Sequence, residues 1–370
     1  MAEPETFISK GDFALSQFAC RCAPLLRVLG KLEEDLWSDA LSTQRIDKPV
    51  FVTGLARSGT TILLTLLSQA QGVATHRYRD FPLLFAPLFW NRLQDRLARM
   101  PEMARERAHR DGILITRESA DAFEEPLWQA FFENAHDPRR CHVLGGETRN
   151  PGFEAFFTAH LRKILLLRGG TRYVSKGNYN VARIAYLARL FPDARFVVPI
   201  RDPVAHVTSL VRQHALFCRY AASDRRVTRY LEAAGHYEFG PQRRPLNLDP
   251  ARIGEIEDAW LAGDDVGGYA RQWAQVYQHV EHLRRDGGLG DRIMVVRHED
   301  VCDRPLPACE EVLAHCGLRD EAGKAAAVAA TLRSARHEAP TEAVARQIWP
   351  YVAAVASLYG YTSSRSDQVE

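Results

Sequence analysis

Short apolar runs alternate with helical patterns at four places along the chain. Each run contains β-branched or aromatic residues and ends near glycine, proline or charge: PVFVTG (49–54), RYVSKG (172–177), ARFVVPIRD (194–202) and RIMVVRHED (292–300). A segment of helical periodicity follows each run, at 60–70, 179–191, 203–217 and 306–318. Apolar strands that alternate with helices are typical of parallel βαβ units. The pattern predicts an α/β fold, with a parallel sheet between two layers of helices.

The remaining segments divide the chain around this sheet. We predict an N-terminal helical segment at 1–47, a main domain at 48–340, and a C-terminal helix and tail at 341–370. The main domain carries two insertions, at about 81–170 and 218–290, which follow strand–helix units. Ligands of open α/β sheets bind beyond the carboxyl ends of the strands, so the insertions should wall the ligand crevice. The aromatic run FPLLFAPLFW within the first insertion fits either the core or an apolar acceptor or lipid-facing surface.

Composition excludes some classes of protein. The 48 basic and 46 acidic residues leave a net charge of +2, which argues against nucleic acid as a partner. The N-terminus has no apolar run of signal-peptide length, and no stretch reads as a membrane span, so we expect a cytoplasmic protein. Peripheral contact with the inner membrane stays open, and the sequence does not indicate an oligomeric state.

The cysteines are expected to be reduced thiols, because their number is odd, seven, and no export signal precedes them. Two groups could suggest zinc: Cys20 with Cys22, and the set His298, Cys302, Cys309, His315 and Cys316. The first lies in a helix-like run and the second lacks a C-x-x-C pair. We therefore expect no metal site.

The loop after the first strand is the strongest chemical signal. GLARSGTT, residues 54–61, approaches the phosphate-loop frame G-x-x-x-x-G-K-[ST], but Thr60 stands in the place of the lysine. Such a loop still offers backbone N–H groups at a helix N-terminus, together with donors from Arg57, Ser58, Gly59, Thr60 and Thr61. Without the lysine, magnesium-dependent kinase or hydrolase chemistry loses a main component.

A second segment, VVPIRDPVAHVTSL, follows further along the chain. Together, the loop and this segment resemble the paired nucleotide-binding motifs of the sulfotransferases. The arginine in the loop is typical of the bacterial and Golgi-type members. The resemblance implies a P-loop-like fold and, as donor, 3′-phosphoadenosine 5′-phosphosulfate, with no metal required. The first motif would hold the 5′-phosphosulfate, and Arg201 and Ser209 of the second would hold the 3′-phosphate. The acceptor would be a hydroxyl, on a carbohydrate, a glycolipid or a small molecule.

Catalytic residues follow from the same resemblance. Arg57 and Lys176, which ends the second apolar run, would stabilise the leaving phosphate oxygen. Relatives carry a glutamate base soon after the first helix; the matching stretch THRYRDFPLL has none, so Asp80 is the first candidate and His76 the second. Asp80 could instead be a salt-bridged loop acid.

Weaker candidates complete this picture. Glu124, Glu125 and His109 stand behind Asp80 and His76 as bases, and Arg333, Arg336 and His337 could close over the 3′-phosphate. Two other functions stay as alternatives: a divergent nucleotide kinase or hydrolase, and a non-catalytic nucleotide-binding protein of the same fold.

Overall fold

The computed structural model describes residues 8–97, 103–331 and 340–363. Its helices are α1 Lys10–Arg21, α2 Ala23–Leu36, α3 Ser38–Ser42, α4 Thr60–Leu67, α5 Pro87–Leu97, α6 Glu125–Gln129, α7 Pro151–Arg168, α8 Ile184–Leu190, α9 Pro203–Ser223, α10 Arg226–Ala233, α11 Ile253–Leu261, α12 Asp265–Arg285, α13 His298–Asp303, α14 Pro305–Cys316, α15 Lys324–Thr331 and α16 Glu342–Leu358. Its strands are β1 Val50–Val52, β2 Val73–Ala74, β3 Arg105–Glu106, β4 Leu114–Ile115, β5 Arg172–Lys176, β6 Arg195–Ile200 and β7 Ile293–Arg297.

Five strands form one parallel sheet in the order β2-β5-β1-β6-β7. The four strands predicted from the apolar runs are β1, β5, β6 and β7, and the prediction is confirmed. The sequence analysis missed β2, because its two residues carry no recognisable period. It also treated 179–191 as one helix, whereas the segment begins as a 3₁₀ helix, Asn178–Arg183, and continues as α8.

Helices cover both faces of the sheet. Because side chains alternate along a strand, Val50 and Val52 of β1 face one way and Phe51 the other. The valine face packs against α4, α14 and α15. The Phe51 face packs against helices that include α7, α8 and α12. All three β1 side chains are fully buried, so the sheet is the middle of three layers, as the α/β prediction stated.

Strand order decides which loops meet. β1 lies between β5 and β6, with Val52 opposite Lys176 on one side and Val197 on the other. The chain segments that leave β5, β1 and β6 therefore emerge side by side at the carboxyl edge of the sheet. Residues far apart in sequence share that edge, where open parallel sheets bind ligands.

The N-terminal helices are tied to the body of the protein by a buried charge. Lys163 of α7 donates to the carbonyl of Gly30 at 2.6 Å and lies 3.4 Å from Glu33 of α2, with both ionic side chains fully buried. Within FPLLFAPLFW, Leu84 and Phe85 pack in one apolar cluster with Leu26 of α2, and Leu88 is also buried. Most of that run is thus core. Among the described helices, none combines the length and the apolar character that crossing a membrane requires.

Candidate active site

The loop between β1 and α4 has the backbone of an anion cradle. Gly54 and Gly59 have positive φ angles of 144° and 110°, and Arg57 has φ 70°, which is unusual for a residue with a side chain. Gly59 is the N-cap of α4, which begins at Thr60. The unpaired N–H groups of the first turn and the helix dipole therefore point out of the loop, which suits a phosphate or sulfate group.

Two contacts fix the shape of this loop. Ser58 is buried and donates its hydroxyl to the Leu55 carbonyl at 2.7 Å, so that side chain closes the turn. His206 of α9 lies 2.8 Å through Nε2 from the Ala56 carbonyl. Burial lowers the pKa of His206 to about 3, so it is neutral and donates a proton to that carbonyl. The loop is thus attached to the helix that follows β6.

The end of β6 brings Arg201 and Ser209 to the same loop. Ser209 Oγ accepts from Arg57 Nε at 3.4 Å, which joins the two sequence motifs directly. Within the described residues Arg201 makes no hydrogen bond or ion pair. Burial lowers its pKa, although the charge of Glu299 opposes this. Glu299 is itself occupied, since it accepts from the Asp202 backbone N–H at 2.9 Å and from the Tyr361 hydroxyl at 2.7 Å. Arg201 therefore has guanidinium donors available for an anion.

His298 is a further residue at this edge. It follows β7, and its Nδ1 would lie 3.1 Å from a Cβ added at Gly59. Burial lowers its pKa to about 4, and the charges of Arg201 and Arg57 add to this. The sequence analysis weighed His298 only as a zinc ligand. Its place directly after an apolar strand was the signal that could have assigned it to the anion site.

Two cations contact Thr61 at the start of α4, and a third, Arg57, shares Asp111 with one of them. Lys176 Nζ donates to Thr61 Oγ1 at 2.9 Å, and Arg107 Nη1 donates to the same atom at 3.0 Å. Arg57 lies beside them and pairs through Nη1 with Asp111 at 2.6 Å. Lys176 pairs with Asp121 at 3.2 Å. Thr60 donates to Asn178 Oδ1 at 3.3 Å.

The structure thus brings Arg57, Thr61 and Lys176 together. It adds Arg107, Asp111 and Asp121, all from the first insertion, which the sequence analysis did not select.

A cavity of about 850 Å³ opens in front of these cations. Both predicted insertions contribute its walls: the first through 105–110 and 121–125, the second through 230–238. Aromatic rings, among them Phe81, Phe123, Phe217, Tyr220 and Tyr230, line it next to carboxylates. The cavity is wide enough for a drug-sized organic molecule.

Asp80 and His76 are absent from this cavity, and the structure favours the structural alternative for Asp80. Arg168 Nη2 donates to both Asp80 oxygens, at 2.5 and 2.7 Å, and Asn91 Nδ2 donates to one of them at 2.9 Å. Asp80 is fully buried. Burial alone would raise its pKa, but the interactions with His76 and with Arg168 lower it below its ordinary value. This carboxylate has no free face with which to accept a proton from an acceptor.

His76 is equally enclosed. Its Nε2 lies 3.1 Å from Nε2 of His160, and the two rings are stacked with centroids 5.0 Å apart. Its Nδ1 lies 3.5 Å from Asp80, and only 1% of the residue is exposed. Each of the two residues is packed into the wall of the protein and does not face the crevice, which argues against both as the general base.

The weaker base candidates are distributed differently. Glu124 lines the cavity and accepts from the Tyr173 hydroxyl at 2.6 Å. Glu125 is held by Arg183 Nη2 at 2.7 Å and by His136 Nε2 at 2.6 Å. His109 also lines the cavity, and burial lowers its pKa well below its ordinary value.

The last sequence predictions concern the C-terminal basic residues and metal sites. Arg333, Arg336 and His337 lie outside the described residues. Over residues 8–97, 103–331 and 340–363, no cluster of three His, Cys, Asp or Glu side chains is arranged to hold a metal ion. All seven cysteines are free thiols.

Solved structures of bacterial sulfotransferases align with this chain. The fold is similar to that of the sulfotransferase STF9 from Mycobacterium avium, at 14% identity and a TM-score of 0.51, over 90% of this chain and 82% of that one. The sulfotransferase STF1 from Mycobacterium tuberculosis aligns at 17% identity and a TM-score of 0.44, over 93% and 87% of the two chains. A sulfotransferase from Alicyclobacillus acidocaldarius aligns at 14% identity and a TM-score of 0.41, over 86% and 98%. No curated protein matches.

A family model described as "Sulfotransferase family" matches residues 49–257. This span begins just before β1 and includes the loop at 54–61, the end of β6 and both motifs that meet at Arg57 and Ser209. Since the match covers more than half of the chain, the protein belongs to the sulfotransferase family.

Proposed function

We propose that this protein transfers a sulfuryl group from 3′-phosphoadenosine 5′-phosphosulfate to a hydroxyl of an acceptor bound in the cavity. The observation that carries the proposal is the pairing of two anion-binding features on neighbouring strands. One is the loop ending at the N-terminus of α4, and the other is Arg201, whose guanidinium has no partner among the described residues. A nucleotide with phosphate groups at both its 3′ and 5′ positions needs two such features.

The residues around the loop fit the 5′ end of this donor. The first-turn N–H groups of α4 and the guanidinium of Arg57 would hold the phosphosulfate. Lys176 and Thr61, 2.9 Å apart, would stand next to the oxygen between phosphorus and sulfur, where negative charge accumulates as the sulfur–oxygen bond breaks. Arg201 and Ser209 would hold the 3′-phosphate, and His298 would lie beside it.

The acceptor hydroxyl must lose its proton as its oxygen bonds to sulfur. We assign this role to Asp121, which, unlike Asp80, lines the cavity; its Oδ1 accepts from Lys176 Nζ at 3.2 Å and from the Ala122 N–H at 2.7 Å, and its Oδ2 accepts from the Tyr78 hydroxyl. Burial would raise the pKa of Asp121, but the charges of Lys176 and Arg107 lower it below its ordinary value. Asp121 is therefore ionised at neutral pH and can accept a proton.

Asp121→Asn should leave nucleotide binding intact and lower turnover about 10²–10⁴-fold. Glu124→Gln, which changes a second carboxylate of the same wall, is the comparison. If Glu124→Gln abolishes transfer and Asp121→Asn does not, the base is Glu124.

The cavity walls support the proposal of a carbohydrate or glycolipid acceptor. Aromatic rings supply flat apolar surface, and the neighbouring carboxylates accept hydrogen bonds from hydroxyl groups. A carbohydrate or glycolipid has both apolar faces, which pack on aromatic rings, and hydroxyl groups, which donate to carboxylates. A small alcohol has the same two features with less surface. The cytoplasmic location and the peripheral contact with the inner membrane stay predictions from the sequence.

Titration calorimetry tests the donor. The protein should bind 3′,5′-adenosine bisphosphate, and bind adenosine 5′-phosphosulfate more weakly because that nucleotide lacks the 3′-phosphate. ATP or GTP with magnesium should bind weakly, since Thr60 stands where phosphate loops have lysine. Tight magnesium-dependent ATP binding with no response to the bisphosphate would favour a kinase or hydrolase. Bisphosphate binding without transfer to any acceptor fraction from a labelled donor would indicate a non-catalytic nucleotide-binding protein.

A further inference from the structure

The turn between β3 and β4 places a carboxylate against the phosphate-binding loop. Asp111 Oδ2 lies 2.6 Å from Arg57 Nη1, and its Oδ1 accepts from Arg107 Nε at 2.9 Å. Arg107 Nη2 also contacts Asp111. The side chains of these three residues are between 8% and 15% exposed. One carboxylate thus occupies donors of two guanidinium groups at the edge of the cavity.

This carboxylate is charged and has the geometry of a bound anion. Burial would raise the pKa of Asp111, but the hydrogen bond with Arg107 and the charges of Arg107 and Arg57 lower it below its ordinary value. Two oxygens on one planar group engage guanidinium N–H donors as two oxygens of a sulfate or phosphate do. Asp111 therefore imitates a small oxyanion beside the residue expected to bind the donor.

The local charges show what this contact does to an incoming anion. Three cations (Arg57, Arg107 and Lys176) face two carboxylates (Asp111 and Asp121), which leaves a net charge of 3 − 2 = +1. If Asp111 moved away, the same cations would face one carboxylate, and the net charge would be 3 − 1 = +2. Like charges at close range in a partly buried site repel each other, so an anion at Arg57 and Asp111 at Arg57 compete for the same guanidinium group.

Few backbone pairings hold the hairpin in place, so Asp111 is held mainly by its ion pairs with Arg57 and Arg107, which a bound anion could replace. β3 and β4 are two residues each and pair only with one another among the described strands. Both residues of β3 are exposed. Short pairs of this kind have low local stability. Arg107, by contrast, is already anchored at Thr61 Oγ1, 3.0 Å away, so it would stay at the loop when the turn moves.

We propose that Asp111 holds the place of the donor's sulfuryl group, and that Arg107 exchanges Asp111 for that group when the donor binds. Arg107 is then a catalytic residue supplied by the first insertion, and the 105–115 hairpin admits the donor by withdrawing its own carboxylate. This inference rests on the proposed function. It gives an anion-binding role to Arg107, which lies in neither of the two sequence motifs.

The test compares two nucleotides that differ by the sulfuryl group. Calorimetry is carried out with 3′,5′-adenosine bisphosphate and with 3′-phosphoadenosine 5′-phosphosulfate on the wild type, Asp111→Asn and Arg107→Gln. Glu106→Gln is the matched control, because it removes another carboxylate of the same hairpin that contacts the Gly112 N–H and not Arg57. Thermal unfolding of each variant checks that it is folded.

Asp111→Asn should bind the phosphosulfate at least about tenfold more tightly than Glu106→Gln does, and the bisphosphate with a smaller gain. Arg107→Gln should weaken the phosphosulfate about tenfold, leave the bisphosphate within about twofold, and lower single-turnover transfer about 10²–10³-fold. Arg107→Lys keeps the charge but lacks the planar pair of guanidinium N–H donors. Compared with Arg107→Gln, it should therefore recover only part of the phosphosulfate affinity.

Two results would overturn the inference alone: normal wild-type binding that Asp111→Asn leaves unchanged, or equal losses for both nucleotides in Arg107→Gln. Binding of neither nucleotide by the wild type and by Asp111→Asn would overturn the proposed function together with it. Normal binding of the bisphosphate in every variant separates the two cases, because that nucleotide reports on the site without the sulfuryl group.

Discussion

Replacing Asp80 by asparagine should destabilise the protein and leave its chemistry intact. Asp80 is fully buried, and it accepts hydrogen bonds from Arg168 at 2.5 and 2.7 Å, from Asn91 at 2.9 Å and from the Arg77 backbone N–H at 2.8 Å. Asparagine has nearly the same shape but no charge, and its amide group places N–H donors where Arg168 also presents donors. The substitution therefore tests the ion pair with little change in volume.

The magnitude follows from the partner that remains. The Arg168 side chain is 5% exposed, so losing the Asp80 charge leaves a guanidinium buried without its counter-charge. Breaking one side of a buried pair in this way costs about 3–5 kcal/mol, which is a large share of a total stability of about 5–15 kcal/mol. Asn91 donates to Oδ1 and the Arg77 N–H donates to Oδ2, so the single amide oxygen of asparagine can keep only one of these two hydrogen bonds, which adds to the loss.

The effect should depend on pH in a defined direction. The pKa of Asp80 is lowered in the folded protein, so its carboxylate stabilises the fold above the unfolded-state pKa of about 3.9. That contribution disappears as pH falls below this value and approaches the folded-state pKa. The stability difference between wild type and Asp80→Asn should therefore be constant near neutral pH and shrink in acid below about pH 4.

Glu118→Gln is the matched control. Glu118 contacts Arg79 at 3.0 Å and also pairs with Arg77, but its side chain is 52% exposed. An exposed pair contributes at most about 1 kcal/mol. Urea unfolding at neutral pH gives both free energies, and turnover is measured on the folded fraction of each variant. An Asp80→Asn protein as stable as the wild type, with turnover reduced about 10²-fold or more, would refute the structural role and restore Asp80 as the base.

Three further predictions concern the loop and the nucleotide site. Arg201→Ala should weaken 3′,5′-adenosine bisphosphate by about 2–4 kcal/mol in calorimetry but change adenosine 5′-phosphosulfate little; equal losses would make Arg201 structural. Gly59 has φ 110°, and a Cβ at this position would lie 3.1 Å from His298 Nδ1, so Gly59→Ala should abolish bisphosphate binding. Gly112 also has a positive φ, 77°, but a Cβ there would meet open space. Gly112→Ala should therefore cost only about 1 kcal/mol of stability and retain binding. Burial and the charges of Arg201 and Arg57 lower the pKa of His298 to about 4, and a phosphate bound beside it should raise that pKa; a His298 NMR titration that the bisphosphate leaves unchanged would contradict this.

The strands and the loop were predictable because their signals are local. β1, β6 and β7 consist mainly of apolar residues, and β5 has Tyr173 and Val174 at its centre, since strands in the middle layer of the fold need apolar residues where both faces are buried. The glycines of the loop could be identified for a similar reason, because a tight turn into a helix requires backbone angles that other residues rarely adopt. The family resemblance then connected this loop with Arg201 and Ser209.

The general base could not be identified from the sequence. The stretch around Asp80 gives no indication that Arg168, 88 residues further on, lies against it. A carboxylate next to two arginines in sequence reads equally well as a base or as a surface ion pair. Only the packing of α7 beside the 78–80 turn shows that this charge is buried and occupied.

The sequence by itself determined four of the five strands of the sheet and the backbone of the glycine-containing loop at 54–61, because each depends on residues close together in sequence. Only the tertiary structure decided which side chains share the cavity with that loop. Arg107, Asp111 and Asp121 come from an insertion of irregular backbone, where no period relates position to direction. Their meeting with Arg57 and Lys176 depends on how the chain folds over the carboxyl edge of the sheet, which is a matter of long-range packing and charge pairing.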